Sequence, residues 1–350
     1  MTSSASVAEA CYAVQMRSND IKLIPDWKKP SRVFLAYPKA IRHSYTFRGK
    51  RRVDDYDKLV PFYDQLIIRH IPFWIPATIL FRAKDDFALL AAQYGNDDHN
   101  ITAAIQPSLC YPWLRDYAGF AVRENGRKKI MKPMFAPSYL PAGFALTCEK
   151  IGRDIVPGTR CETIPLVWDG GNLVHNGEGV AIIDEYMFKR NSRDIKTTEG
   201  RVLKKTRAEI IEMLQKKLGI THPIFIPSKR GDWLHHADGY FAFLDARTVA
   251  VEMPPPVQVK KALAKLDIKI VTLASCLPKH SKQYPDSIEG SYINFLRLGD
   301  IILMPRFGAE RECFMKNIRI LGKYAEVEPV DDAEELARFG GLLHCISHVI

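Results

Sequence analysis

Trp168-Asp169-Gly170-Gly171-Asn172-Leu173-Val174-His175-Asn176-Gly177-Glu178-Gly179-Val180-Ala181-Ile182-Ile183 couples a polar turn to two short apolar runs, and the sequence repeats that arrangement three more times. An Asn-Gly pair between apolar runs is a strong hairpin signal, so the stretch reads as motif, strand, tight turn, strand. Upstream, Asp116 is followed by an apolar run at 118–122, the Asn125-Gly126 turn and Ile130-Met131. Downstream, Asp238 precedes runs at 240–244 and 248–251, and Gly290-Ser291 precedes runs at 292–296 and 301–304. Polar motifs at one equivalent corner of successive units converge, which builds one site from positions far apart in the chain.

Helical periodicity alternates with these runs, so the class is mixed α/β. The clearest helix covers 206–218: Thr206 is a cap, Glu209 completes a capping box, Ile210, Ile211, Leu214 and Leu218 form the apolar stripe, and Gly219 ends it. Further helices are expected at 54–69, 256–266, 310–321 and 332–339. At 350 residues and 47% hydrophobic the chain can bury a large core. No apolar run approaches the roughly 18 residues of a membrane span, and Met1-Thr2-Ser3-Ser4 lacks the features of a signal peptide. The seven cysteines are odd in number and never form a C-x-x-C pair, which argues against a disulfide framework and a thiolate zinc site. A cytoplasmic protein fits. The net charge of +10 comes from scattered clusters such as Lys50-Arg51-Arg52 and Arg127-Lys128-Lys129, a solvated basic surface without a nucleic-acid module.

The chemistry concentrates elsewhere. Gly340-Gly341-Leu342-Leu343-His344-Cys345 sets a cysteine beside a glycine pair, and His236-Ala237-Asp238-Gly239 and Trp113-Leu114-Arg115-Asp116 supply an imidazole and carboxylates. A thiol, an imidazole and carboxylates are what breaking a C–N bond at a cationic guanidinium carbon requires. His236 and Asp238 stand at i and i+2, which on a strand turns both to one face. Blander readings stand beside these: an Arg115–Asp116 surface ion pair, a plain turn at Asp169-Gly170-Gly171-Asn172, and packing roles for His235, His344, His348 and the other six cysteines, Cys11, Cys110, Cys148, Cys161, Cys276 and Cys313. No spacing supports a serine triad, a metal site or a phosphate loop.

Taken in order, Pro25-Asp26-Trp27 with Phe34-Leu35-Ala36-Tyr37-Pro38, Trp113-Leu114-Arg115-Asp116, Trp168-Asp169-Gly170-Gly171-Asn172, Asp232-x-x-x-His236-x-Asp238-Gly239, Ser291-Tyr292-x-Asn294-Phe295 with Pro305-x-Phe307-Gly308, and Gly340-Gly341-x-x-His344-Cys345 resemble the motifs of the agmatine deiminase and bacterial-type peptidylarginine deiminase family. The resemblance spans about residues 22–347. It implies an α/β pentein fold, five ββαβ-type units around a pseudo-fivefold axis, as one domain over 22–350 preceded by an extension at 1–21. It also implies that Cys345 is the nucleophile, His236 the general acid/base, and Asp116 and Asp238 the pair that grips the guanidinium. Asp169 would orient the imidazole or neutralise the cation, Asn294 would contact the reacting centre, and Trp113, Asn172 and Gly341 would line the substrate. Neither metal nor organic cofactor is implied. The partner is a small guanidino substrate or an arginine-containing peptide, with no membrane or specific nucleic acid, and a homo-oligomer is left open.

The chain departs from the family pattern where Asp169 replaces the usual Glu and His235 the usual Gly, where 240–243 lacks an Arg often found there, and in the tail Cys345-Ile346-Ser347-His348. These departures leave open agmatine, arginine or peptidyl-arginine as substrate, and an amidinotransferase or a degenerate arginine-binding protein as alternatives to a hydrolase. Arg123, Lys189, Arg190, Lys229 and Arg230 are candidates to hold a substrate carboxylate.

Overall fold

The computed structural model describes residues 21–47, 50–94, 100–197, 200–228, 234–276, 287–308 and 311–350. Cys11, Lys229, Arg230, Asp232 and all but the last residue of the expected extension lie outside them. Ile21 already belongs to a strand, Ile21–Leu23, and pairs with Glu124.

Five sheets among the described residues share one connectivity. Two strands pair antiparallel, a helix follows, and the chain returns to lay a third strand parallel to the second. A parallel return needs a crossover of a dozen or more residues, which the helix and its flanking segments provide. The first sheet uses Phe120–Glu124, Arg127–Met134 and Cys161–Val167 with helix Ala142–Asp154. The second uses Leu173–His175, Val180–Asp184 and His222–Ile226 with helix Arg207–Leu218. The third uses Phe241–Asp245, Thr248–Val251 and Lys269–Thr272 with helix Val257–Lys265. The fourth uses Leu296–Leu298, Ile301–Pro305 and Glu326–Val330 with helix Arg311–Leu321. The fifth joins regions far apart in the chain: Ser347–Val349 pairs antiparallel with Val33–Ala36, and Ala77–Phe81 lies parallel to it after helix Val60–Gln65. Strands such as Val33–Ala36 and Ile301–Pro305 are buried along their whole length, as strands covered on both faces must be.

Local sequence explains most of these elements. The Asn125-Gly126 turn holds φ of 50° and 78°, the left-handed pair that a two-residue hairpin demands. Thr206 Oγ1 accepts the Glu209 amide at 3.2 Å and Glu209 returns to the Thr206 amide at 2.7 Å, the reciprocal cap expected there.

Several elements differ from the sequence reading; helix Lys84–Tyr94 was not expected, and Asp238, read at strand spacing from His236, lies in the 3-10 turn Ala237–Gly239. The helix expected at 54–69 breaks into a 3-10 turn Tyr56–Leu59, helix Val60–Gln65 and a π turn Leu66–His70, since Asp54 and Asp55 end a strand. The strand expected from Tyr292 begins at Leu296, leaving 292–295 as loop. Helix Ala142–Asp154 was not expected: Pro141 offers no side-chain cap, and Gly143 and Gly152 weaken its local propensity. Gly152 is required there because a Cβ would stand 1.9 Å from the Tyr117 carbonyl oxygen. Beneath that helix, Lys132 and Glu149 form a fully buried ion pair, and Glu149 also accepts the Phe135 amide at 2.7 Å.

Candidate active site

The polar motifs occupy the entrances to the five sheets. Helix Leu114–Ala118 precedes the first sheet and the 3-10 turn Gly170–Asn172 the second. The 3-10 turn Ala237–Gly239 precedes the third, the 290–295 loop the fourth, and the 340–346 turn the fifth. These entrances are stitched together. Asn172 Oδ1 accepts the Asp169 amide at 2.9 Å, while its Nδ2 donates to the His235 carbonyl at 2.6 Å. A Cβ on Gly171 would stand 2.6 Å from His236 Nδ1, and one on Gly341 would stand 2.3 Å from the Trp113 ring, so both glycines are needed for close approach.

His236 lies between two carboxylates, with Nδ1 3.8 Å from Asp116 Oδ1 and Nε2 3.6 Å from Asp169 Oδ2. The Tyr139 hydroxyl donates to Asp169 Oδ2 at 3.0 Å and reaches Asp116 Oδ2 at 3.4 Å. Burial alone would depress the His236 imidazole, but Asp116, then Asp169 and Asp238, push it up to about 10. Asp116 itself is pushed up to about 7, because burial and the neighbouring Asp169 and Asp238 outweigh the pull of His236. Two acids thus share one buried imidazolium.

Cys345 Sγ lies 3.9 Å from Asp238 Oδ2. Its amide donates to Asn294 Oδ1 at 3.2 Å, and Asn294 Nδ2 donates to the Asp238 carbonyl at 3.2 Å, so Asn294 ties the backbone of Cys345 to that of Asp238. Burial, then Asp238 and Asp116, push the thiol well above its ordinary range. Without a cation in the site the sulfur keeps its proton.

A second string runs away from Asp238. His344 Nδ1 contacts Asp238 Oδ2 at 2.7 Å, its Nε2 lies 3.3 Å from Asp26 Oδ2, and Arg115 Nη2 donates to that same oxygen at 3.2 Å. Burial opposes ionisation of Asp26, yet Arg115 and His344 hold it well below the usual carboxylate range. Asp238 is likewise lowered, burial being outweighed by His344 and His236. Asp238 Oδ1 has no hydrogen-bond partner among the described residues.

The structure therefore brings Cys345, His236, Asp238, Asp116, Asp169 and Asn294 together. Trp113, Asn172 and Gly341 are also there, but their observed contacts are internal: Trp113 packs on Gly341, and Asn172 spends its amide on backbone. The Arg115–Asp116 surface pair is not found. Both residues are buried, and the guanidinium of Arg115 sits on Asp26. Nor is His344 a bystander, since both its ring nitrogens face carboxylates. Cys276 and Cys313, read as packing thiols, are joined in a disulfide, which removes the cysteine argument for a reducing compartment. His235 sits at φ 58°, a left-handed backbone that favours glycine, and its ring stacks on Tyr186 with centroids 3.9 Å apart.

Of the residues proposed for a substrate carboxylate, Arg123 donates to the Gly126 carbonyl at the turn end of its hairpin, away from Asp116. Lys189 lies over the Tyr186 ring. Arg190 donates to the Ala136 carbonyl and, with Arg193, borders a cavity of about 670 Å³ beside the 135–141 loop. Tyr139 on that loop escaped the sequence reading, although its Pro137-Ser138-Tyr139-Leu140-Pro141 setting marks a constrained aromatic. Among the described residues no group of three or more His, Cys, Asp or Glu is placed to hold a metal ion, and no helix is long and apolar enough to cross a membrane.

The agmatine deiminase of C. jejuni has a similar structure, with TM-score 0.70 and 17% identity over 94% of this chain and 95% of that chain. The agmatine deiminase of Enterococcus faecalis is similar at TM-score 0.70 and 16% identity, over 94% of this chain and 95% of that one. At such identities the likeness speaks to the fold. No curated protein sequence matches the chain. The family model for Porphyromonas-type peptidyl-arginine deiminases matches residues 22–350. The chain belongs to that family, and it is an enzyme of the deiminase class.

Proposed function

We propose that residues 22–350 form one catalytic domain, five units around a pseudo-fivefold axis, that hydrolyses a guanidino group to a ureido group with release of ammonia. The observation that supports this most is the charge around Cys345: two buried carboxylates share one imidazolium beside a protonated thiol, which leaves room for one planar cation. A guanidinium offers several N–H donors in one plane, and charge-assisted bonds to Asp116 and Asp238 fix its orientation.

Its arrival cancels the negative field that kept Cys345 protonated, and the thiol proton leaves to bulk solvent. The thiolate then attacks the guanidino carbon, and His236, protonated at neutral pH, gives its proton to the departing nitrogen. Ammonia leaves, an S-amidino cation stays on Cys345, and His236 is neutral. The imidazole next takes a proton from water as the oxygen adds to the same carbon. Collapse returns the thiolate and releases the ureido product together with one proton, which the sulfur takes up again once the site is empty. Asp169 and Tyr139 hold His236 between the two half-reactions, and no step needs a metal or organic cofactor.

Agmatine, arginine, methylarginines and arginine peptides, assayed together for ureido product and ammonia, test this reading. One ammonia per ureido group is expected from at least one of them. Consumption of a guanidino donor without ammonia, dependent on an added amine, would instead show amidino transfer.

A further inference from the structure

Asp26, Arg115 and His344 take no part in the reaction as written, yet they stand directly behind the carboxylate closest to the sulfur. His344 is fixed from both sides, its amide donating to the Asn294 carbonyl at 3.2 Å and its own carbonyl accepting Arg115 Nε at 3.4 Å. The Asp26 turn is pinned as well, since Gly299 donates its amide to the Asp26 carbonyl at 3.3 Å. A neutral imidazole has one N–H and cannot donate to two carboxylates. His344, with Asp238 at 2.7 Å and Asp26 at 3.3 Å on opposite nitrogens, is placed to be doubly protonated. The other charged or titratable groups facing this chain are His175 from strand Leu173–His175, Arg297 from strand Leu296–Leu298, His348 from strand Ser347–Val349, His236 and Cys345.

We propose that Arg115, Asp26 and His344 form a positioning chain that fixes the Asp238 carboxylate, with Oδ2 committed to His344 and the unpartnered Oδ1 presented to the guanidinium. This inference rests on the reading that Asp238 grips that cation. The chain touches no substrate, so its effect falls on affinity. Two carboxylates and two cations close it to neutrality, and removing the Asp26 charge makes the His344 proton easier to lose. Asp238 then loses its anchor at a lower pH than in the native chain.

Binding of agmatine and of arginine, measured by calorimetry on a Cys345→Ala background across about pH 6 to about pH 9, tests the chain in Asp26→Asn and Asp26→Glu, a range that covers histidine titration. Whichever ligand the parent binds, Asp26→Asn should weaken it about tenfold near neutrality, the size of one lost charge-assisted contact. Its alkaline loss of affinity should also shift about one unit to lower pH. Asp26→Glu should recover most of both, and in the active-cysteine background Asp26→Asn should raise KM more than it lowers kcat. Parental affinity in Asp26→Asn at every pH would overturn the proposal. So would a loss of equal size at every pH that Asp26→Glu fails to recover, the mark of a merely structural residue. A parent that binds neither ligand, in a chain that also turns over no guanidino compound, would overturn both this inference and the reading beneath it. Should Asp26→Asn fail to fold, nitrogen chemical shifts of the His344 ring in the native chain decide instead: a doubly protonated ring at neutral pH is expected, and a neutral one overturns the chain.

Discussion

Asp238 and Asp116 flank the same sulfur, but the clusters behind them are completed differently. Behind Asp238, two carboxylates meet two cations, His344 and Arg115, within 2.7–3.3 Å. Around Asp116, two carboxylates meet one imidazolium at 3.6–3.8 Å. The first cluster is short-bonded and neutral, so it holds geometry. The second is looser and one positive charge short, so it is complementary to an incoming cation. Burial makes that difference matter, because an unbalanced charge away from water costs far more than one at the surface. The proposed roles of Asp116 and Asp238 beside Cys345 and His236 draw on this contrast.

The largest effect is expected from taking the proton carrier out of the open cluster. His236→Gln should lower turnover by about 10²–10⁴-fold, the usual worth of a positioned general acid and base. Substrate should still bind, which calorimetry would register. A smaller and more discriminating effect comes from neutralising the carboxylates: Asp116→Asn and Asp238→Asn should each cost about 1.5–3 kcal/mol of guanidinium binding. Near-native dissociation constants in both, on a Cys345→Ala background, would contradict the assignment of the charge deficit to cation binding. Gly171→Ala probes the same cluster sterically. Its Cβ would stand 2.6 Å from His236 Nδ1, so the ring must move, and a displacement near 1 Å can cost about 10²-fold in rate. Native kcat in that variant would show that the ring position is not critical.

The smallest effect on turnover lies outside both clusters. His348 is buried against Phe34, neither ring nitrogen has a partner among the described residues, and burial pulls it down to about 3. Between its ordinary value near 6.5 and that lowered one, the unfolded chain binds a proton that the folded chain refuses. Stability therefore falls as pH drops through this window, by about 1.4 kcal/mol per unit for each such group. His348→Leu should remove that share and move the acid-unfolding midpoint to lower pH, which tryptophan fluorescence during acid titration would follow.

Much of the fold is legible in the residues alone. The four hairpins within 118–304 and their preceding motifs are local signals, each written in a turn pair and flanking apolar runs. The fifth sheet is not, because its antiparallel pair joins Ser347–Val349 to Val33–Ala36 across most of the chain, and no local pattern encodes such a pairing. The same holds within the site. Cys345, His236, Asp116 and Asp238 stand out by residue type and motif. The roles of Arg115 and His344 depend on Asp26, which lies 89 residues before the arginine in sequence and on it in space. Read locally, Arg115 belongs to Asp116 and His344 to the core. Helix Ala142–Asp154 hid for a related reason, since its Gly152 is set by the approach of the Tyr117 carbonyl and works against local propensity.

In the proposed mechanism uncompensated negative charge beside Cys345 governs the reactivity of its sulfur, and a cation that enters should release the thiolate. The direct measurement compares a haloacetamidine, which carries a guanidinium-like charge, with the matching neutral haloacetamide, following alkylation by peptide mass mapping. Cys345 should be labelled by the cation at least about tenfold faster than by the neutral reagent, a difference of about 1.4 kcal/mol, and ahead of Cys110, Cys148 and Cys161. Equal rates for the two reagents, or first labelling at any of those other thiols, would contradict the account.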